Sequence, residues 1–342
     1  MLSEIRTLMV TIENQIIWPE LATGQLIAVI LLITFSLLVT IESNFPHKPF
    51  PAKPLRQSYA SNIGLFLFNS LIVSFLTAML ALFVSAHFSG LGLLSFINNP
   101  VGRVIVAFLV MDLMLYLWHM ACHRFSGLWL FHRVHHSDPV VNVSTAFRIH
   151  IAEMALTTVL KSIYLIVLGL DKTLMLLIDA LFAGFIMFHH CNMTFQYEHW
   201  LGKLIIVPHL HRAHHSTERS QHDHNYGAVL SIWDRLFGTL IEQEPKAMGI
   251  KIPSPTTTLG LICFGFGYAP KVAVTLDNAT NPVVENLDAM IAEAAYYKAE
   301  KRAFSPGYEL SDWLEAKKEI LRLVYGNQKC NVGMEFTGGN HI

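Results

Sequence analysis

The chain has 342 residues and a formal net charge of -1, with 53% hydrophobic and only 14% charged residues. Soluble domains carry about a quarter charged residues, so this composition excludes an ordinary water-soluble protein and assigns much of the chain to a membrane. The near-zero charge also excludes the electrostatic attraction on which nucleic-acid binding depends.

Five apolar stretches approach the roughly 20 residues that a helix needs to cross the hydrocarbon. The first, Gly24 to Ile41, has no charge. It starts deep in the chain and lacks a basic leader and a small-residue cleavage site, so it reads as an anchor rather than a cleaved signal. Pro46, Pro49, Pro51 and Pro54 then predict a stiff, extended linker. The second stretch is Ile63 to Ala86 and the third Val101 to Trp118. The fourth and fifth, Ile151 to Leu170 and Thr173 to Phe188, are separated only by Asp171 and Lys172, which predicts a tight helical hairpin. Lys161 interrupts the fourth, leaving a partly interfacial helix as the alternative. Asp179, in the fifth, has no evident partner in the sequence. Basic residues set the orientation. Lys48, Lys53, Arg56, Arg124, Arg133 and Arg148 follow the first and third stretches, whereas the loop between Ala86 and Pro100 has no Lys or Arg. Five crossings place the basic loops and the C-terminal part on the cytoplasmic side and the N-terminus outside.

Beyond a break from Pro245 to Pro255, the short apolar run Leu259 to Tyr268 is too brief to cross and reads as interfacial. Asn286 to Arg302 and Glu309 to Tyr325 read as two amphipathic helices around a Ser305-Pro306-Gly307 turn. The expected fold is therefore all-α: a membrane bundle of four to five spans, a cytoplasmic helical metal-binding cap and a small C-terminal helical pair. The expected domains are 1–100 (N-terminal spans and linker), 101–245 (the histidine-rich domain), 246–284 (interfacial linker), 285–326 (soluble helical module) and 327–342 (flexible tail).

Chemistry is concentrated in histidine. The four cysteines, Cys122, Cys191, Cys263 and Cys330, lie far apart without a CxxC pair, against a disulfide framework or thiolate zinc site. Of 18 histidines, 15 fall between His119 and His224. His119-x-x-x-His123 puts two imidazoles on one helical face. His132-x-x-His135-His136 and His211-x-x-His214-His215 each supply three at the same spacing. Eight candidate ligands exceed what one ion can use; two ions with four or five nitrogens each can use them, leaving room for O2 or water. Dense neutral nitrogen donors suit redox-cycling iron, although spacing alone does not exclude zinc. His190, at the end of the fifth stretch, is a ninth candidate beside Asn192, whereas its neighbour His189 faces elsewhere on a helix. Asp112 and Tyr116 share one helical stripe with His119 and His123. A carboxylate inside a span is costly; Asp112 could orient an imidazole through its second nitrogen or pair with a basic residue. Arg148, His150 and Glu153 read as polar support for the ligands or as surface capping. His199, His209, His222 and His224 read as interfacial.

From Asp112 to Gly238 the chain resembles the fatty acid hydroxylase / sterol desaturase superfamily. The resemblance is carried by Asp112…Tyr116…His119-x-x-x-His123, His132-Arg-Val-His135-His136-Ser137, Phe147-Arg148-x-His150-x-x-Glu153 and His190-x-Asn192. It continues through His211-Arg-x-His214-His215-Ser216, Asp223-x-Asn225-Tyr226-Gly227 and Trp233-Asp234-Arg235-Leu236-Phe237-Gly238-Thr239. It implies membrane helices capped by a cytoplasmic domain holding two iron ions, with O2-dependent hydroxylation or desaturation of a lipid C–H bond. It also implies His119, His123, His132, His135, His136, His190, His211, His214 and His215 as metal ligands. Asp112, Tyr116, Arg148, His150, Glu153, Asn192, Asp223 and Asn225 are then supporting residues. No fused cytochrome b5 module is visible, so a separate donor (a ferredoxin, cytochrome or reductase) would supply electrons. The tail resembles a small bacterial module of unknown function through Ala295-Tyr296-Tyr297 and Pro306-Gly307-x-Glu309-Leu310-x-Asp312-Trp313, which points to a bacterial inner membrane. The rival readings are a histidine-rich metal transporter or metal-binding membrane protein, whose site would sit near the bilayer midplane, and a zinc hydrolase, for which HExxH is lacking.

Overall fold

The computed structural model describes residues 18–88, 90–268, 287–302 and 304–325, without the side chains of 18–22, 74–86, 289, 324 and 325. The secondary structure among these residues is helical, with only isolated bridges such as Ile205 to Leu230. The chain divides into two compact units, Met1–Ile250 with Ser254–Tyr268, and Lys251–Pro253 with Ala269–Ile342.

In the larger unit α1 (Trp18–Asn44) and α2 (Ala52–Phe88) precede α3 (Pro100–Arg124) and α4 (Ser126–His136), which carries the first triple-histidine motif. A short 3-10 turn, Val143–Phe147, leads into the hairpin of α5 (Ile151–Leu168) and α6 (Lys172–His190). Short helices α7 (Glu198–Leu201), α8 (Pro208–His214), α9 (Arg219–His222) and α10 (Ile232–Leu236) follow, then α11 (Thr258–Gly265). Thr23–Asn44 of α1, together with α3, α5 and α6, are long and apolar enough to cross a membrane. Their outward faces show why: Ile33, Val104, Ile163 and Leu181 stay exposed, as expected where lipid rather than water surrounds a helix. The expected second stretch lies inside α2, largely among side chains that are not described.

Local chemistry fixes the helix ends. Asn99 caps α3 by accepting from Val101 N and Gly102 N, and Asp171 caps α6 by accepting from Leu174 N. Gly169 ends α5 at φ 68, where a Cβ would also come within 2.2 Å of Gly92 N; only glycine meets both demands. The hairpin packs on α3 through Met111, Leu165, Leu168, Ile178 and Phe182.

Three expectations change. The extended linker stops at Pro51, because α2 starts at Ala52 and Pro54 falls in its first turn, where a missing N–H is tolerated. Leu259 to Tyr268 is not merely interfacial: it forms α11, which seats Leu261 and Phe264 fully buried. Arg133 on α4 donates to Phe264 O and lies 4.1 Å over that ring. Asp179 does have a partner. Lys161 of α5 donates to it across the hairpin at 2.7 Å, so two charges within apolar helices neutralise each other.

The smaller unit holds α12 (Leu287–Lys301) and α13 (Glu309–Tyr325), joined by a turn with Gly307 at φ 93. Met290, Ile291, Ala316 and Ile320 bury against each other and Ile252. Lys298 pairs with Glu315 and Glu319, and Arg302 with Asp312.

Replacing Lys161 by Met strands Asp179 in an apolar hairpin and is expected to destabilise the micellar protein by roughly 2–3 kcal/mol. Lys161→Met/Asp179→Leu should recover most of that loss. Denaturant unfolding of the two variants checks it, and equal stability would show that the pair is not coupled.

Candidate metal centre

Four helices deliver the imidazoles. α3 brings His119 and His123, α4 brings His132, His135 and His136, and α6 ends on His190. α8 brings His211 and His214, with His215 as its C-cap. Their nitrogens separate into two clusters: His119, His123, His132, His136 and His214 in one, and His135, His190, His211 and His215 in the other. The adjacent histidines of each His-His pair part company, because successive helical side chains diverge by about 100°. Thus His135 and His136 join different clusters, as do His214 and His215.

The inward-facing nitrogens are closely spaced. His119 Nε2 lies 3.1 Å from His132 Nε2, and His123 Nε2 3.1 Å from His136 Nε2. In the second cluster His190 Nε2 lies 3.2 Å from His135 Nε2, 3.0 Å from His211 Nε2 and 3.3 Å from His215 Nε2. The outward nitrogens explain what faces inward. His119 Nδ1 donates to Tyr226 O, His190 Nδ1 to Ile186 O and His214 Nδ1 to His224 O. His132 Nδ1 donates to Glu153 Oε1 at 2.8 Å and His123 Nδ1 to Asp223 Oδ1 at 3.2 Å. A neutral imidazole that donates from Nδ1 offers only a lone pair at Nε2. Both rings of the His119–His132 pair are held this way, and two lone pairs cannot hydrogen-bond each other, so their approach needs a cation between them. Metal–imidazole bonds of about 2.0–2.1 Å set adjacent nitrogens about 3 Å apart, and the residues present fit that requirement.

Burial, reinforced by neighbouring imidazoles, holds His135, His136, His211, His214 and His215 well below the usual histidine range. The rings therefore stay unprotonated at neutral pH, the form in which imidazole ligates metal.

The supporting residues act at several distances. Glu153 and Asp223 touch imidazoles directly. Asp112 does neither of the things its position suggests. It reaches no imidazole and no base, and instead accepts from Val229 N, Leu230 N and Trp233 Nε1. Three donors satisfy the buried carboxylate, and the segment they hold carries Tyr226, whose carbonyl fixes His119. Tyr116 is also remote from the rings, bonding Thr239 Oγ1 and stacking on Phe237. Asn225, at φ 56, ties Leu210 O to Ile241. Asn192 exchanges hydrogen bonds with the Lys48 backbone rather than with a histidine. Arg148 is no surface cap: it is buried and donates to Val134 O and Ser137 Oγ at the end of α4, and to Ser61 and Asn62 of α2. His150 does cap, accepting from Ala152 N at the start of α5. Its other nitrogen donates to Ile262 O.

His209 and His222, expected at the interface, are buried. His222 stacks on Trp129 and joins His123 and Asp223 in a small polar group. His189 is also buried, its ring 4.0 Å from that of His211, but it belongs to neither cluster. Sequence reasoning assigned no role to Asp138 or to Asp234, the latter quoted only as part of its motif. Asp138 accepts from Ser58, Asn62 and Thr145. Asp234 accepts from Tyr226 N, Gly227 N and Thr239; burial raises its pKa to about 6. Their signal was proximity to the motifs, Asp138 standing two residues after His136.

A cavity of about 400 Å³ opens beside the clusters. His119 and His132 of one cluster and His135, His190 and His211 of the other line it, and its remaining wall includes Val73, Leu115, Ala146, Ile149, Met154 and Ile186.

The helices and histidines together describe a membrane protein with two imidazole clusters, each able to hold a metal ion. Residues 104–239 match the fatty acid hydroxylase family model. Residues 286–322 match a protein family of unknown function, DUF2934. The chain is 33% identical over 140 residues to ornithine lipid hydroxylase OlsE of Rhizobium tropici, covering 40% of this chain and 41% of that protein. It is 30% identical over 176 residues to alkylglycerol monooxygenase of Danio rerio, covering 48% and 36%. The human alkylglycerol monooxygenase aligns over 162 residues at 30% identity, covering 44% and 33%. The chain thus spans well under half the length of these relatives. No solved structure matches it.

Two clusters predict two ions. His136→Ala and His215→Ala, one from each cluster, should each lower bound metal from about two ions per chain to about one, measured by elemental analysis of the purified protein. Loss of both ions in either variant would show a single coupled site. The histidines also predict a pH response. The unfolded chain takes up protons near pH 6.5, whereas the folded rings resist until much lower pH, so acid favours unfolding. Metal-free protein should therefore lose thermal stability between about pH 7 and about pH 5, and pH-independent melting would contradict the burial.

Proposed function

We propose that this chain is a membrane-bound di-iron oxygenase that hydroxylates or desaturates a lipid C–H bond with O2. One observation carries the reading: histidines of both clusters line a single, mainly apolar cavity among α2, α3, α5 and α6. A transporter needs a path through the site, whereas an oxygenase needs a dry pocket that presents carbon to metal. The names of the relatives, an ornithine lipid hydroxylase and an alkylglycerol monooxygenase, support the same chemistry.

The nine imidazoles of the two clusters would hold the ions, five on one and four on the other. Iron, when bound, supplies the activation of O2 that C–H oxidation demands. The protein's own residues do the rest. Glu153 and Asp223 orient His132 and His123 through their Nδ1 protons, and the carbonyls of Tyr226, Ile186 and His224 do the same for His119, His190 and His214. Val73, Leu115, Ile149 and Ile186 exclude water from the alkyl chain and limit where it can lie. Inserting one oxygen atom requires two electrons and two protons to reduce the other to water, and a separate donor protein supplies the electrons. The basic residues that follow the first span and end the third, Lys48, Lys53, Arg56 and Arg124, support a cytoplasmic position for the clusters, within reach of such a donor.

Alanine at His132, His135 or His136 is expected to abolish turnover and to lower bound iron together. The assay is O2 consumption with lipid mass spectrometry of cells with and without the gene. Full activity in those variants would reject the assignment. Metal flux into vesicles without O2 consumption would establish the transporter instead.

A further inference from the structure

The cavity wall is mainly apolar by area, and two of its polar side chains, Asn69 and Glu153, each have an oxygen without a partner. Asn69 of α2 is fully buried and lines the cavity. Its Nδ2 donates to Ile149 O at 2.8 Å. A carbonyl can only accept, so this bond fixes the amide orientation and leaves Oδ1 as the free end. That oxygen has no hydrogen-bond partner. Glu153, in the first turn of α5, is 8% exposed. Its Oε1 is taken by His132 Nδ1, while Oε2 has no partner. Three neighbouring polar groups on the wall are already engaged. The hydroxyls of Thr157 and Thr158 donate to Glu153 O and Met154 O of their own helix, and Lys161 is held by Asp179. The wall beside the metal clusters thus offers acceptors.

A buried acceptor left unpaired costs free energy, and a matching donor recovers it. We propose that Asn69 Oδ1 and Glu153 Oε2 receive a hydrogen-bond donor on the substrate, so that this chain takes lipids whose polar end carries a hydroxyl, amide N–H or ammonium group. This rests on the cavity being the substrate site of the oxygenase proposed above. Because Glu153 also holds His132, the donor-bearing end lies next to the metals and the alkyl tail runs along the apolar wall. Oxidation then falls near the polar end rather than at the far end of the chain. A carboxylate or phosphate at that end would meet the Glu153 carboxylate and be repelled.

The test needs binding, not turnover. Full-length protein in nanodiscs is photolabelled with a diazirine-bearing long-chain alcohol, and labelled peptides are located by mass spectrometry. Hexadecanol and hexadecylamine should displace the label at concentrations roughly tenfold or more below those needed for hexadecyl methyl ether or palmitate. Asn69→Leu should erase that preference. Asn69→Asp, which loses the same bond to Ile149 but keeps an acceptor, should retain it. Equal displacement by alcohol and ether in the unmodified protein would overturn the proposal even if both variants fail to fold. Labelling confined to peptides outside the cavity would overturn the substrate-site reading, and this inference with it. Oxygenase failure is separable, since it appears as absent turnover with the binding preference intact.

Discussion

Nine imidazoles brought tip to tip inside a protein form an arrangement that hydrogen bonding among themselves cannot satisfy. Each ring donates from at most one nitrogen when neutral, and five of the nine spend that proton outward, on Tyr226 O, Ile186 O, His224 O, Glu153 and Asp223. Where two such rings meet, as His119 and His132 do, the inward lone pairs repel unless a cation lies between them. Burial prevents the other escape, protonation, because it disfavours the charged ring. Ions held between these rings would join α3, α4, α6 and α8, so that metal binding would be linked to folding in this unit.

The same economy governs the carboxylates. Asp112, Asp138 and Asp234 are buried without a close cation, and each is satisfied by three or four donors from the backbone, from neutral side chains or from both. Asp112 and Asp234 hold opposite ends of the 226–233 segment, bringing the Tyr226 carbonyl to His119. Gly227 is needed between them because a Cβ there would come within 2.7 Å of Leu230 O and 2.8 Å of Ile206. Asp138 works through Asn62, which also accepts from Arg148, whose guanidinium grips the end of α4. Support of this kind resists distortion of the ligand geometry more than a set of surface ion pairs would, since every member is desolvated.

Lipid contact shapes the rest of the larger unit. The helices keep apolar side chains outward and place polar atoms where a neighbour can satisfy them, as Lys161 and Asp179 do across the hairpin. The cavity interrupts this pattern by turning polar oxygens toward an interior that is otherwise hydrocarbon-like. Such an interior strengthens each polar contact made within it, which is how a few oxygens can select among lipids with similar tails.

Much of this was legible from the residues alone. Apolar length revealed the spans, because a membrane demands continuous hydrophobicity over a fixed distance, and the spacing of His132, His135 and His136 revealed ligands, because helical periodicity is local. The amphipathic pattern likewise set α13 at Glu309–Tyr325. Periodicity could not say which ring serves which ion. His135 and His136 are adjacent in sequence yet join different clusters, and only where the folded chain sets the rings of α3, α6 and α8 around α4 decides it. Nor could it find the role of Asp112, whose partners lie more than a hundred residues away, or the burial of His209 and His222, whose neighbours are set by the folded chain. Local sequence determined the helices and the donor atoms; tertiary structure decided the pairing, because converging lone pairs and buried charges are satisfied by groups that meet only when distant segments fold together.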